Sequence, residues 1–283
     1  MALPAYAGTL ERVWYYAFRV FCGMVFFFLI MPILIIIPLS FNAQPYFSFT
    51  TEMLTLQPEG WSTRWYWDFF TSDRWMQGLR NSFIIAIGAT LLATSFGTLA
   101  ALGLSRSYMP FRNAFMAMLI SPMIVPLIIS AAGMYFFYSD IGLAQTYPGV
   151  ILAHAALGTP FVIIVVTATL MGFDESLVRA AAISGANPRT TFFKITMPLI
   201  APGMISGALF AFITSLDEIV IVNFIAGAGQ RTIPMRMFAG IREEISPTIL
   251  AVATMLVAIS VVLLTTLELI RRRNERVRGI VPQ

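Results

Sequence analysis

The chain has 283 residues, 58% of them hydrophobic and only 11% charged, with a formal net charge of +4. Soluble globular domains carry about 25% charged residues, so this composition excludes an ordinary soluble enzyme and points to a multispan membrane protein. So few charges make nucleic acid a poor partner despite the basic balance, and a single cysteine, Cys22, excludes an intrachain disulfide and a zinc spacing.

A helix needs about 20 apolar residues to cross the hydrocarbon core. The first such run fills most of the gap between Arg19 and Glu52 and contains GMVFFFLIMPILIIIPLSF. It is too long for a signal-peptide core and has no small-residue cleavage site, so it reads as a retained first span over 20–41. A long outer loop follows, 42–81, in which Trp61, Trp65, Trp67 and Trp75 cluster. Aromatics of this kind settle at the membrane–water boundary, which predicts an interfacial helix there. A docking surface for an external partner is the sharper reading of the same residues.

Uncharged runs then predict spans over 82–105, 113–138, 148–172, 200–226 and 247–269, six in all. In the third, Pro122 and Pro126 predict a kink, and Tyr135 and Tyr138 read as interface anchors. The fourth holds His154, the chain's one histidine. A lone histidine excludes a His-based metal site and reads as an interhelical hydrogen-bonding group.

Between spans four and five, 173–199 reads as two short helices with a bend. Asp174 or Ser176 suits a cap, and Glu175 precedes Arg179 at the favourable i,i+4 spacing. Ala180, Ala181 and Ala182 are strong helix formers, and Gly185 can adopt the left-handed conformation that ends a helix. After Ala186, Asn187-Pro188 restarts one, with Asn as cap and Pro at the first helical position. Ile195, Thr196 and Pro198 close the second helix ahead of the fifth span.

That span carries the acidic pair Asp217–Glu218 and is expected to run on to about Ala226, with Asn223 on the same general face as Asp217. Carboxylates inside a membrane face a cavity or a partner. Two fates stay open: one or both line a solute route and attract a cation, or they pair with Arg231 or Arg236. Adjacent helix positions point about 100° apart, so one of the two is expected to face a route.

With the N-terminus inside, twelve of the 18 basic residues fall in cytoplasmic segments, five of them between Arg271 and Arg278. That bias puts both termini in the cytoplasm. No GxxxxGK[ST] phosphate cradle occurs, and GAGQRT (227–232) lacks the lysine, so the sequence offers no P-loop for a nucleotide. No credible catalytic set is present.

The stretch RAAAISGANPRTTFFKITMP (179–198) resembles the cytoplasmic "EAA" loop of type I ABC-importer permeases. SLDEIVIVNFIAG (215–227), TIPMRMFAGIREEISPTI (232–249) and the arginine-rich end are similar to the spermidine/putrescine-type subgroup. The likeness runs from the first span onward. It implies an all-α membrane protein, one permease domain over 1–283 with six transmembrane helices, in the bacterial inner membrane. It further implies a non-catalytic subunit without cofactors of its own, ATP and Mg being held by a homodimeric ATPase that grips the loop at Arg179–Pro198. A second, homologous permease chain and an extracytoplasmic solute-binding protein are the other implied partners. The solute would be a polyamine or a related cationic nitrogen compound; similar permeases handle opines, amino-acid derivatives, thiamine or ferric ion. Two positions depart from the pattern: Arg179 replaces the usual acidic residue, and Met197 the usual Leu. A secondary transporter would show two related halves around broken helices, and no internal repeat is evident.

Overall fold

A computed structural model of the chain describes residues 8–106, 108–243 and 246–277. Glu244, Ile245 and Arg278, used in the sequence reading, lie outside the described residues. In chain order the helices are α1 (Thr9–Leu39), α2 (Thr51–Leu54), α3 (Arg64–Thr71), α4 (Asp73–Leu104), α5 (Arg112–Ile124), α6 (Leu127–Asp140), α7 (Tyr147–Met171), α8 (Ser176–Ile183), α9 (Pro188–Thr191), α10 (Met197–Leu216), α11 (Val220–Ile225), α12 (Ile233–Glu243) and α13 (Thr248–Val277). Among the described residues β-structure is limited to an isolated bridge between Asn42 and Trp61. Five stretches are long and apolar enough to cross a membrane, and α5 with α6 makes a sixth if that bent pair counts as one.

Helix ends and membrane ends differ. α1 begins at Thr9 and so includes Arg12 and Arg19, and α13 continues to Val277. Hydropathy marks where lipid begins, whereas a helix continues through polar residues of good propensity. The sharpest departure is in the third predicted span, where α5 and α6 meet at 100°. Pro126 has no amide hydrogen to give, and its ring holds Val125 extended at φ −67°, ψ 135°. A kink was expected; a break is found. Tyr135 and Tyr138, expected at the membrane boundary, pack partly buried against the cluster of Ala131, Val150, Ile221 and Ile225.

The chain divides into two compact units, one of residues 1–71 and 244–259, the other of 72–243 and 260–283. In the first, buried Asn42 organises the loop after α1: its amide donates to the Tyr46 and Ser48 carbonyls, and its own carbonyl accepts from the Trp65 indole at 2.7 Å. Trp65 therefore serves as an internal tie, while Trp67 is 73% exposed.

The second unit is built on α4, α7 and α10, which touch through small residues. α4 presents Ala86, Ala89, Ala93, Gly97 and Ala101, all buried, at three- and four-residue spacing. A Cβ on Gly97 would stand 2.6 Å from Val162 Cβ, and one on Gly207 would stand 3.0 Å from Val162 Cα. At Gly158 it would meet Ala211 at 2.9 Å and Ala93 at 3.3 Å. Lipid tails are as apolar as leucine, so helices in a membrane associate by van der Waals packing, and small residues allow that approach.

Gly97→Ala is expected to destabilise the protein by about 1–3 kcal/mol through overpacking. Gly103→Ala on the same helix, with nothing within 4 Å of the place its methyl would take, should be neutral or slightly stabilising. Thermal midpoints in detergent measure both; equal midpoints for the pair would refute the close-packing account.

Candidate functional site

The 173–199 loop is shaped by local chemistry. α7 ends at Met171, and the exposed Asp174 accepts from the Ser176 amide at 2.8 Å and the Ser176 hydroxyl at 2.7 Å. Those bonds hold its carboxyl below the usual carboxylate range. α8 closes in a Schellman motif: the Ala186 amide donates to the Ala181 carbonyl and the Gly185 amide to that of Ala182. Gly185 makes this possible at φ +81°. The chain restarts at Asn187, whose side chain accepts from the Thr190 amide at 2.8 Å, with Pro188 at the first helical position.

The second helix does not stop at Thr196–Pro198 as the sequence suggested. α9 passes through a turn of π-helix, Phe192–Thr196, directly into α10, so Pro188–Leu216 is one helical stretch. Pro198 would leave a carbonyl unpaired in a regular helix. A wider π turn, Phe192–Thr196, lies directly before it, where the proline ring would crowd a regular helix.

α8 presents two distinct arcs. At 100° per residue, Glu175, Val178, Arg179 and Ala182 fall on one arc, and these four, with Ala186 just beyond the Gly185 turn, line a cavity of about 440 Å³ together with Arg106, Tyr108, Leu170 and Phe192. The opposite arc carries Ser176, Ala180, Ile183 and Ser184, all exposed, with Ile183 projecting at 88% exposure. Ala181 is buried against the body, and Ile195 is half-buried. These four side chains are small or apolar, and the exposed Arg179 flanks them one turn from Ser176 and Ile183.

The acidic pair lies at a helix break. α10 ends at Leu216, and α11 starts at Val220 instead of continuing the span unbroken to Ala226. Glu218 is 7% exposed, and its Oε1 accepts from the Ile221 amide at 2.8 Å, capping α11. Asp217 and Asn223 are exposed. Neither expected arginine meets the pair in a described ion pair: Arg236 donates to Gln77 Oε1 at 2.7 Å. Its burial, followed by the charges of Arg74 and Arg231, lowers its pKa.

Three polar residues that the sequence reading passed over hold this region. Buried Asn81 on α4 donates to the carbonyls of Gly229 (2.8 Å) and Arg231 (2.9 Å) and accepts from the Tyr147 hydroxyl at 2.7 Å. Ser215, 4% exposed, bonds His154 Nδ1 at 2.8 Å. For Ser215 the signal was available, since an uncharged polar side chain within an apolar run has to find a partner inside the protein; Asn81 and Tyr147 lie just outside the predicted spans.

The family model for the binding-protein-dependent transport system inner membrane component matches residues 93–276. The chain is 34% identical over 265 residues to the putrescine transport system permease protein PotI of Escherichia coli K12, covering 90% of this chain and 91% of that one. It is 32% identical over 254 residues to the spermidine/putrescine transport system permease protein PotC of Haemophilus influenzae, covering 90% and 96%. A solved bacterial ABC transporter, involved in the import of the acidic polysaccharide alginate, has a chain that superposes with TM-score 0.73 over 94% of this chain and 99% of its own. At 15% identity that likeness is one of fold.

Glu218→Leu is expected to cost about 1–2 kcal/mol through loss of the α11 cap, and Glu218→Gln, which keeps an acceptor oxygen, clearly less. Thermal midpoints in detergent test this; equal losses for the two variants would show that the carboxyl oxygen is not the capping group.

Proposed function

The chain belongs to the family of binding-protein-dependent transport system inner membrane components, and on that premise we propose that it is the permease subunit of an ATP-driven importer of polyamines such as putrescine or spermidine. The observation that carries the solute class is the pair of polyamine permeases, 34% and 32% identical over 90% of the chain. In this reading six spans cross the bacterial inner membrane, α5 and α6 counting as one, with both termini in the cytoplasm. A separate homodimeric ATPase holds ATP and Mg and seats α8. A second permease chain completes the route, and an extracytoplasmic receptor delivers the solute.

The mechanics follow from the Pro188–Leu216 stretch, which spans roughly 43 Å at 1.5 Å per residue. Its one end is the loop at Gly185; its other is the break at Asp217. When the ATPase shifts α8, the Schellman turn and the Asn187 cap transmit the motion to the foot of α10. The glycine contacts with α7 and α4 then make three helices move as a body. Asp217, exposed at the far end while Glu218 is committed to α11, supplies the negative charge that a di- or tri-cation would meet; Asn223 adds a neutral polar group.

Deletion of 180–190, or Gly185→Pro, should leave the protein in the membrane and abolish solute-stimulated ATP hydrolysis by the reconstituted complex. Normal coupling in either variant defeats the docking claim. Asp217→Asn is expected to cut putrescine uptake about tenfold or more at unchanged protein level, on the scale of losing one close charge pairing in a partly buried site. Wild-type uptake would remove this carboxylate from the route.

A further inference from the structure

His154 lies in the first third of α7, is 1% exposed and uses only half of its hydrogen-bonding capacity. Nδ1 is 2.8 Å from Ser215 Oγ, while Nε2 is buried without a partner. A half-satisfied buried imidazole contributes little net stability, because the unpaired nitrogen still bears its desolvation cost. What the bond contributes instead is direction.

The contacts between α7 and α10 form an antiparallel ladder. Val162 meets Gly207, Gly158 meets Ala211, and His154 meets Ser215, each rung four residues from the last. The first two rungs are contacts of small side chains, which fix the distance between the helices but barely restrain rotation of α10 about its own axis. The third is the one rung among these with a preferred geometry, since hydrogen bonds weaken steeply off their angle. It is also the last rung: α10 ends one residue beyond Ser215, and Asp217 follows.

We infer that His154 is a positioning residue that, through Ser215, sets the azimuth of the last turn of α10 and thereby aims the Asp217 carboxylate. The substrate consequence rests on the reading of Asp217 as part of the cation route; the positional claim does not.

The test uses the full chain in its reconstituted transporter. Cys22 is the chain's one cysteine, so Cys22→Ser followed by Asp217→Cys gives a single reporter thiol. His154→Ala and Ser215→Ala should each change its rate of modification by a cationic methanethiosulfonate about threefold or more, the scale of one interhelical hydrogen bond in a membrane protein. His154→Asn, whose amide reaches the place of Nδ1, should restore the rate. His154→Gln, which reaches the place of Nε2, should not. If His154→Ala fails to assemble, Ser215→Ala removes the same bond with almost no change in volume.

In uptake assays with native Asp217, His154→Ala should raise the KM for putrescine about threefold to tenfold and add nothing further to Asp217→Asn. An unchanged labelling rate in folded Ser215→Ala, or rescue by Gln and not by Asn, overturns the positional claim. A shifted labelling rate alongside wild-type uptake in Asp217→Asn upholds it and removes only the route assignment.

Discussion

The approach of α4, α7 and α10 at Gly97, Gly158 and Gly207 is the constraint from which the remaining features take their meaning. Helices this close leave no room even for a methyl group at the three glycines, so their packing ties them to one another. The stretch from Pro188 to Leu216 is thereby a strut and not a tether. In the proposed mechanism, a force applied at the loop near Gly185 would reach Asp217 along this stretch. Without these contacts, the same sequence would still form helices, and the two ends of α10 would have no fixed relation.

The continuous helices stop at two places. α10 breaks after Leu216 and α5 breaks after Ile124, and the helices that follow, α11 and α6, pack on each other within the cluster of Ala131, Ile221, Val222 and Ile225. At a break, backbone carbonyls leave the helical pattern, and in membrane proteins such irregular backbone is tolerated only where protein or water covers it. The acidic pair divides its labour at one of these points. Glu218 is buried and accepts from the first turn of α11, while Asp217 beside it stays exposed.

Legibility tracked the range of the responsible interactions. The Gly185 turn, the Asn187 cap and Pro188 at the helix start are decided within five residues, and all three were readable. So was the pairing role of His154, since a lone imidazole in an apolar span has few fates, although Ser215 as its partner was not. The break at Asp217 was hidden because hydropathy averages over a window in which two acids count for little among Ile219, Val220, Ile221 and Val222. The local signal was there in principle: an acid directly before a β-branched run favours a new helix start over continuation of the old one. Pro198 was misread for the opposite reason, since a proline suggests an ending unless a π turn supplies the compensation. The α5–α6 break was half visible, as proline predicts distortion but not its angle.

Arg179 can now be placed. Reversing the charge at the head of a docking loop looks disabling when the loop is imagined as a string of contacts. On the helix, however, position 179 belongs to the arc that lines the 440 Å³ cavity with Arg106, whereas the outward arc is made of Ser176, Ala180, Ile183 and Ser184. A partner that seats α8 by shape would meet small side chains and one projecting isoleucine, with the exposed Arg179 one turn from Ser176 and Ile183 at the edge of that face. The charge instead adds to Arg106 within the cavity, with Glu175 as the one acid on its wall. What a groove would then read on this chain is the width of α8 and the angle set at Gly185, both properties of backbone and small residues.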